Sequence, residues 1–487
     1  MRVQADLQAK LSPLLAETFP GFIELDAMER LSGGASQETY RLTLRTRKGP
    51  LLLALRRAAG GLPAEISAEH PGLAVEAELM LAAARAGVPE PEIFRVLSPE
   101  EGLGPGFLMQ WLDGITLGSK IVKSPELDAV RPRLAAQCGE VLGRIHGIDL
   151  AATALREKLV EIGPEACVNQ TWARYKALQT PQPMIDYTAR WLLANLPQTY
   201  QPALVHGDFR NGNIMVDGRR GVVAVLDWEL AHVGDPHRDI GWMLTHSWRF
   251  GRAELPVGGF GQLASFLEGY ARTSGREVDP QAVKFWQVFG SFWWSVGCLG
   301  MAEQYRTGPD QSVERPAVGR RSSECQMDCV NLLIPGSVAL VSPTSPVDAS
   351  MMPHRDELLA SVIDFLQEEV VPATEGRTQF LARVARNSLD IVSRELALGT
   401  AAGHAEFSRL ACLLAVSADE ADLQALRWRL VNELRGGHWT LDAPELMEHL
   451  RATVVNQLNI DQPRYPALRA ALAPPARALS NLADDSH

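Results

Sequence analysis

Hydrophobic and polar positions alternate most clearly early in the chain. From 28 to 57 the pattern is that of strands. In RLSGGASQETYRLTL a glycine-rich turn leads into residues that change character every second position, and PLLLALRR is a short apolar run suited to a buried strand. An alanine-rich stretch from Ala74 to Arg85 repeats at helical spacing and is ended by Gly87 and Pro89. A further strand is expected at Phe107 to Trp111, before the turn Asp113-Gly114. The chain then reads as mainly helical, interrupted by one hairpin: Asn213 to Val216 and Val222 to Leu226, joined through Asp217-Gly218-Arg219-Arg220-Gly221, whose glycines accept positive φ. The stripe Phe285, Trp286, Phe289, Phe292, Trp293, Trp294 lies at helical spacing and reads as core more readily than as pocket wall. From Ile334 to Pro353 the sequence is rich in Pro and Ser without periodicity, which predicts a linker. Beyond it, Leu358, Leu359, Val362, Ile363 and Leu366, then Phe407, Leu410, Ala411 and Leu414, predict an all-helical last third.

Composition narrows the class. With 487 residues, 46% hydrophobic and 22% charged, the chain reads as a soluble protein with two or three cores. A net charge of −11 leaves no excess of Lys and Arg for broad contact with nucleic acid or an anionic membrane, so neither is expected as a partner. The six cysteines include no C-x-x-C pair and read as reduced thiols, which points to the cytoplasm. The start, MRVQADLQAKLSPLL, lacks the unbroken apolar stretch of a signal peptide, and no membrane-spanning run follows.

The candidate chemistry flanks the hairpin. On one side stands His206-Gly207-Asp208-Phe209-Arg210-Asn211-Gly212-Asn213, and on the other Leu226-Asp227-Trp228-Glu229. Phosphoryl transfer from ATP needs a carboxylate to orient and deprotonate a hydroxyl, and hard oxygen ligands for Mg²⁺. Asp208 suits the first task, and Asn213 with Asp227 the second. The Asp208 to Asn213 spacing equals that of the kinase catalytic loop. The plainer alternative, a buried polar turn, requires no second carboxylate after the next strand. Arg210 would stabilise charge on the transferred group, or would be a surface loop Arg.

The motif H-G-D-x-x-x-x-N with L-D-W-E and Gly234-Asp235-Pro236 resembles the aminoglycoside phosphotransferase and choline kinase superfamily, in particular the branch fused to some acyl-CoA dehydrogenases, over about residues 25 to 333. The resemblance implies an α+β, bilobal protein-kinase-like fold, with a β-rich N-lobe at 1–112, a mainly helical C-lobe at 113–333, the linker at 334–353 and a helical companion domain at 354–487. It implies ATP and Mg²⁺ as cofactors, Asp208 as base, His206 as a buttress of the loop, and Asn213 and Asp227 as metal ligands. Gly33, Gly34 and Ser36 would cover the phosphates. Arg56 stands where kinases carry the third-strand Lys, paired with Glu76 or its rival Glu78, and backbone groups of Gln110 and Leu112 would meet adenine. Asp235 and Asp239 would cap a helix and anchor the loop.

The C-terminal region resembles a small helical domain of bacteria, on Arg355-Asp356-Glu357-Leu358-Leu359, Glu375-Gly376-Arg377, Ala385-Arg386-Asn387 and Ile460-Asp461-Gln462-Pro463-Arg464-Tyr465. This implies an intramolecular companion to the kinase. The branch implies a 4-hydroxyacyl-CoA as the hydroxyl-bearing acceptor. An aminoglycoside or choline acceptor, or a pseudokinase that binds a nucleotide or acyl-CoA without turnover, are the alternatives.

Overall fold

The computed structural model describes residues 2–31, 37–62, 70–343, 352–417 and 421–472. Gly33, Gly34, Ser36 and residues 344–351 of the expected linker therefore lie outside the described residues. The chain divides into two compact units, Met1–Pro164 with Pro197–Trp286, and Glu165–Leu196 with Gln287–His487.

The first unit is built on a five-stranded antiparallel sheet of β1 (Phe22–Arg30), β2 (Gln37–Thr46), β3 (Gly49–Ala58), β4 (Ile93–Val96) and β5 (Gly106–Gln110), in the order β1-β2-β3-β5-β4. Period-2 alternation gives β1 and β2 one apolar face, and the central strands β3 and β5 two. Leu42, Leu44, Leu53, Leu55 and Leu108 pack against Leu7, Leu11, Leu14 and Leu15 of helix α1 (Arg2–Thr18). Each leucine so buried contributes about 1.5–3 kcal/mol. On the opposite face Ala54, Ala58, Phe107 and Met109 join Ala77, Met80 and Ala83 of helix α2 (Leu73–Arg85). Arg56 shares the parity of Ala54 and Ala58, and so points toward α2. Arg57 has the other parity and is held, buried, by Glu38, its Nε 3.0 Å from Oε2.

Below the sheet lie helices Arg131–His146 and Leu263–Ser274, which pack at close range. Gly139 permits this approach, because a Cβ there would stand 2.0 Å from the Phe266 carbonyl oxygen. Two short antiparallel ribbons complete the unit: β6 (Ala203–Val205) with β9 (His232–Gly234), and β7 (Ile214–Asp217) with β8 (Gly221–Val225). The second is the expected hairpin. Of the aromatic stripe, Phe285, Trp286, Phe289 and Phe292 are buried, while Trp293 and Trp294 are half-buried.

The second unit is helical. Met184 and Tyr187, from helix Pro183–Ala194, share one core with Met327 and Val330 of helix Ser322–Leu333 and with Leu410, Leu430, Leu450 and Leu458 of the C-terminal helices. The expected division at 334–353 differs from this packing, since 165–196 and 287–333 associate with the C-terminal helices. Nor is the first half of the expected linker free. Arg451 Nη1 donates to the Ile334 carbonyl at 2.5 Å, Val338 N–H to the Ala471 carbonyl at 3.2 Å and Val341 N–H to the Asn456 side-chain oxygen at 2.9 Å. Ile334 and Val338 enter the shared core, and the backbone of Val341 is tied to Asn456, so the segment docks although its sequence is aperiodic. No described helix is long and apolar enough to cross a membrane. Five cysteines are buried, Cys412 is exposed, and none is in a disulfide.

One buried ion pair tests the shared core of this unit. Asp186, fully buried, accepts from Arg435 Nε and Trp172 Nε1, both at 2.7 Å. Replacing Asp186 with Ala strands the guanidinium, and denaturant unfolding should show a loss of about 3 kcal/mol. A change below about 0.5 kcal/mol, the range of ordinary surface substitutions, would mean that the pair does not hold 165–196 to the C-terminal helices.

Candidate active site

The loop after β6 is fixed by a carboxylate that lies beneath it. Asp239, on the short helix His237–Met243, is fully buried and accepts the backbone N–H of His206 at 2.8 Å and of Gly207 at 2.9 Å. His146 Nε2 lies 3.1 Å from the same carboxylate and its Nδ1 is 2.9 Å from the Tyr270 hydroxyl. Burial alone would raise the Asp239 pKa, but these hydrogen bonds bring it below the usual value. Gly207 takes φ +84°, and a Cβ there would stand 2.5 Å from the Leu230 carbonyl oxygen, so the turn admits only glycine. His206 is buried against Trp228, ring centroids 4.7 Å apart, and burial pushes its imidazole below the ordinary value. It is neutral at pH 7 and accepts the Asp208 N–H at Nδ1, 3.2 Å away.

Asp208 is held on both oxygens. Oδ2 accepts Asn213 Nδ2 at 2.5 Å, and Oδ1 accepts Trp242 Nε1 at 2.7 Å and Arg210 Nε at 2.9 Å. Asn213 also donates to the Asp208 carbonyl at 3.0 Å, which commits its amide nitrogen to the loop and leaves Oδ1 as the other polar atom of its side chain. Arg210 is no free surface Arg: its guanidinium stacks on Trp248 at 4.3 Å and Nη1 donates to the Asn211 carbonyl at 2.7 Å.

The hairpin brings the second carboxylate to this loop. Ile214 pairs with Val225, and Leu226 N–H donates to the Asn213 carbonyl at 2.7 Å, so Asp227 follows directly after the residue bonded to Asn213. Asp227 adopts the left-handed backbone, φ 69° and ψ 64°, a conformation that costs a non-glycine residue about 1–3 kcal/mol and that clusters at functional sites. Its Oδ1 lies 2.5 Å from Arg56 Nη2, which is 3.2 Å from Glu76 Oε2. Glu78, the rival, pairs instead with Lys158 at 2.6 Å on the surface. At the strand end, Gln110 N–H is committed to the Glu92 carbonyl at 2.8 Å, so a base could meet Gln110 only through its carbonyl, beside the backbone of Leu112.

Four residues with no assigned role in the motif reading belong to this arrangement. Gln37 donates to Glu76 at 3.0 Å and to Glu229 at 3.2 Å, tying β2 to α2 and to the turn after β8. Glu229 is pushed up to about 7 by burial and then by the negative charge of Asp227. Trp242 and His146 hold Asp208 and Asp239. Gln37, Glu229 and Trp242 sit inside or beside the motifs SGGASQ, LDWE and GDPHRDIGW, so adjacency was the available signal; His146, distant in sequence, gave none.

Comparison with known proteins agrees with this geometry. The family model "phosphotransferase enzyme family" matches residues 27–281, more than half of the chain, and a "domain of unknown function (DUF6285)" matches 372–465. Acyl-CoA dehydrogenase family member 10 of Mus musculus is 34% identical over 49% of this chain and 22% of its own length. Acyl-CoA dehydrogenase family member 11 of Gallus gallus is 26% identical over 77% of this chain and 50% of its own. The chain thus spans between about a fifth and a half of these curated relatives. A crystal structure from Ralstonia eutropha, described as a candidate aminoglycoside phosphotransferase, superposes with a TM-score of 0.52 at 21% identity, covering 66% of this chain and 97% of that one, which establishes the kinase-like fold. On the extent of the family match, the chain belongs to the phosphotransferase enzyme family.

Proposed function

We propose that the chain is an ATP- and Mg²⁺-dependent kinase that phosphorylates a hydroxyl of a small molecule, a 4-hydroxyacyl-CoA. The observation that carries this reading is the Asp208 carboxylate, oriented by Asn213, Trp242 and Arg210 beside the Arg56–Asp227–Glu76 cluster. Asp208 orients the acceptor hydroxyl and takes its proton as the phosphoryl group leaves ATP. Arg210, stacked on Trp248, is the cation nearest that carboxylate and offsets negative charge as it develops. Arg56, held by Glu76, contacts the α- and β-phosphates in place of a Lys. The Gln110 carbonyl and Leu112 backbone receive adenine, and the phosphates are assigned to Gly33, Gly34 and Ser36, which lie outside the described residues.

The charge balance of the site supports a divalent cation. Glu76, Asp227 and Glu229 face a single Arg56, and Glu229 is pushed to about 7 partly by Asp227. Among the described residues no three His, Cys, Asp or Glu side chains form a metal cage. That accords with Mg²⁺, which takes one or two protein oxygens and completes its shell with phosphates and water. Asn213 Oδ1 and the Asp227 carboxylate are the hard donors available. When bound, Mg²⁺ would neutralise charge on the phosphates. The acyl-CoA acceptor is supported by the names of the two relatives.

Three outcomes follow. Asp208→Asn should lower kcat about 10²–10⁴-fold while the KM for ATP stays nearly unchanged; retained turnover, measured as ADP release with 4-hydroxyacyl-CoA, would sink the assignment. Arg56→Ala should raise the KM for ATP about tenfold or more, and Arg56→Lys should restore only part, because a point charge replaces a fork; a KM equal to the parent's would remove Arg56 from the phosphate site. Without Mg²⁺, Glu229 contributes stability that is present below its unfolded pKa and is lost as pH rises through about 7. The melting temperature should therefore fall between about pH 5 and 8, and Glu229→Gln should flatten that fall. Identical profiles for parent and variant would contradict the raised carboxyl.

A further inference from the structure

The second unit contains a cavity of about 440 Å³ whose charged lining is Arg386, Arg394, Arg464, Asp390 and Asp461, with Tyr465, Ile391 and two prolines as its apolar wall. It lies between the long helix Gly376–Leu413 and the turn that joins helices Pro444–Asp461 and Pro466–Leu472. Its volume falls within the range of about 300–1,000 Å³ common to sites for small organic ligands. Two stretches that carry the C-terminal resemblance, Arg386-Asn387 and Asp461 to Tyr465, stand more than seventy positions apart in the chain and meet here.

The charges around the cavity do not balance. Three arginines face two aspartates here: Asp390 is paired with Arg386 at 3.1 Å, and Asp461, itself part of the lining, is drawn to Arg320, which is not, at 3.2 Å. Arg394 is held by backbone carbonyls alone, Ile460 at 2.5 Å and Asp461 at 3.1 Å. Arg464 is exposed and has no ion pair among the described residues. Two guanidinium groups therefore face one cavity without a carboxylate of their own, and a third, Arg386, has a buried Nε with no hydrogen-bond partner. Burial pushes the Arg394 pKa down against the raising effect of Asp390 and Asp461, with smaller lowering contributions from Arg464 and Arg386. Guanidinium forks match the geometry of phosphate oxygens, and Tyr465 with Ile391 and the prolines offers apolar surface to whatever carries the phosphate.

We infer that this cavity is a second ligand site, which binds a phosphate-bearing small molecule through Arg386, Arg394 and Arg464. Nothing in it suits catalysis: it holds no nucleophile with an adjacent base, and Tyr465 is committed to Asp328 at 2.9 Å. It is a binding site, independent of the reading given to the kinase unit.

The test is calorimetric titration of the full chain, without Mg²⁺, with inorganic phosphate, ADP and CoA in separate arms. Arg386→Gln/Arg464→Ala should weaken binding of at least one probe about tenfold or more, while Arg56→Ala, which alters the other unit, leaves that binding unchanged. Arg464→Ala alone, at an exposed position, guards against loss of folding and should weaken the same probe several-fold. Binding of phosphate alone would mark a simple anion site, and tighter binding of ADP or CoA would identify the organic portion; either supports the inference. It is overturned if no probe binds, or if binding is lost in Arg56→Ala and kept in the cavity variants. Absence of kinase turnover would leave this result untouched, so the two readings fail separately.

Discussion

A carboxylate with no cationic partner and no access to water is expensive to bury, and the fold meets that demand at Asp239 with backbone N–H groups and a histidine. Those N–H groups belong to His206 and Gly207, the residues that start the loop. The conformation of the loop is therefore the condition under which Asp239 is satisfied, and a loop that shifted would leave the carboxylate unpaired. The demand extends further. His146, at the end of helix Arg131–His146, is in turn fixed by Tyr270 of helix Leu263–Ser274, so the two helices whose close packing requires Gly139 also define where Asp208 stands. A buried anion thus converts helix packing into the placement of a side chain at the surface of a cleft.

The opposite wall of the site depends on strand parity. Arg56 faces Glu76 because it shares a sheet face with Ala54 and Ala58, and a register slip of one residue would present Arg57 in its place. Arg57 is kept on the other face by Glu38 and Tyr40, so the two consecutive arginines are sorted by separate carboxylates. This local sorting explains why an Arg pair, ambiguous in the linear sequence, occupies one arrangement.

The strand pattern around 28–57, helix α2, the hairpin 213–226 and the residues flanking it were legible in the sequence, because periodicity, turn chemistry and motif spacing are local properties. Helix α1 is less legible: its Leu7, Leu11, Leu14, Leu15 stripe has helical spacing, but Pro13 interrupts the helical signal within it. The division between units was the larger departure. A Pro- and Ser-rich stretch at 334–353 looks like a hinge, yet which core a helix joins is decided by contacts hundreds of residues away, such as Asp186 with Arg435. Trp242 and Gln37 escaped for the same reason, since a hydrogen bond across an element boundary leaves no mark on spacing. The metal-ligand and nucleotide roles rest on motif matches that the geometry accommodates, with Glu229 as an added carboxylate.

The guanidinium at position 56 also changes how this protein answers to chemical labelling. Reagents that tag nucleotide sites by acylating the third-strand amine need a nucleophile that is deprotonated part of the time, and a Lys beside a carboxylate meets that need. Arg56, buried between Glu76 and Asp227, has its pKa raised by those carboxylates against the effect of burial and stays protonated at any pH the fold survives. An acylating reagent would find no reactive amine at this position of β3.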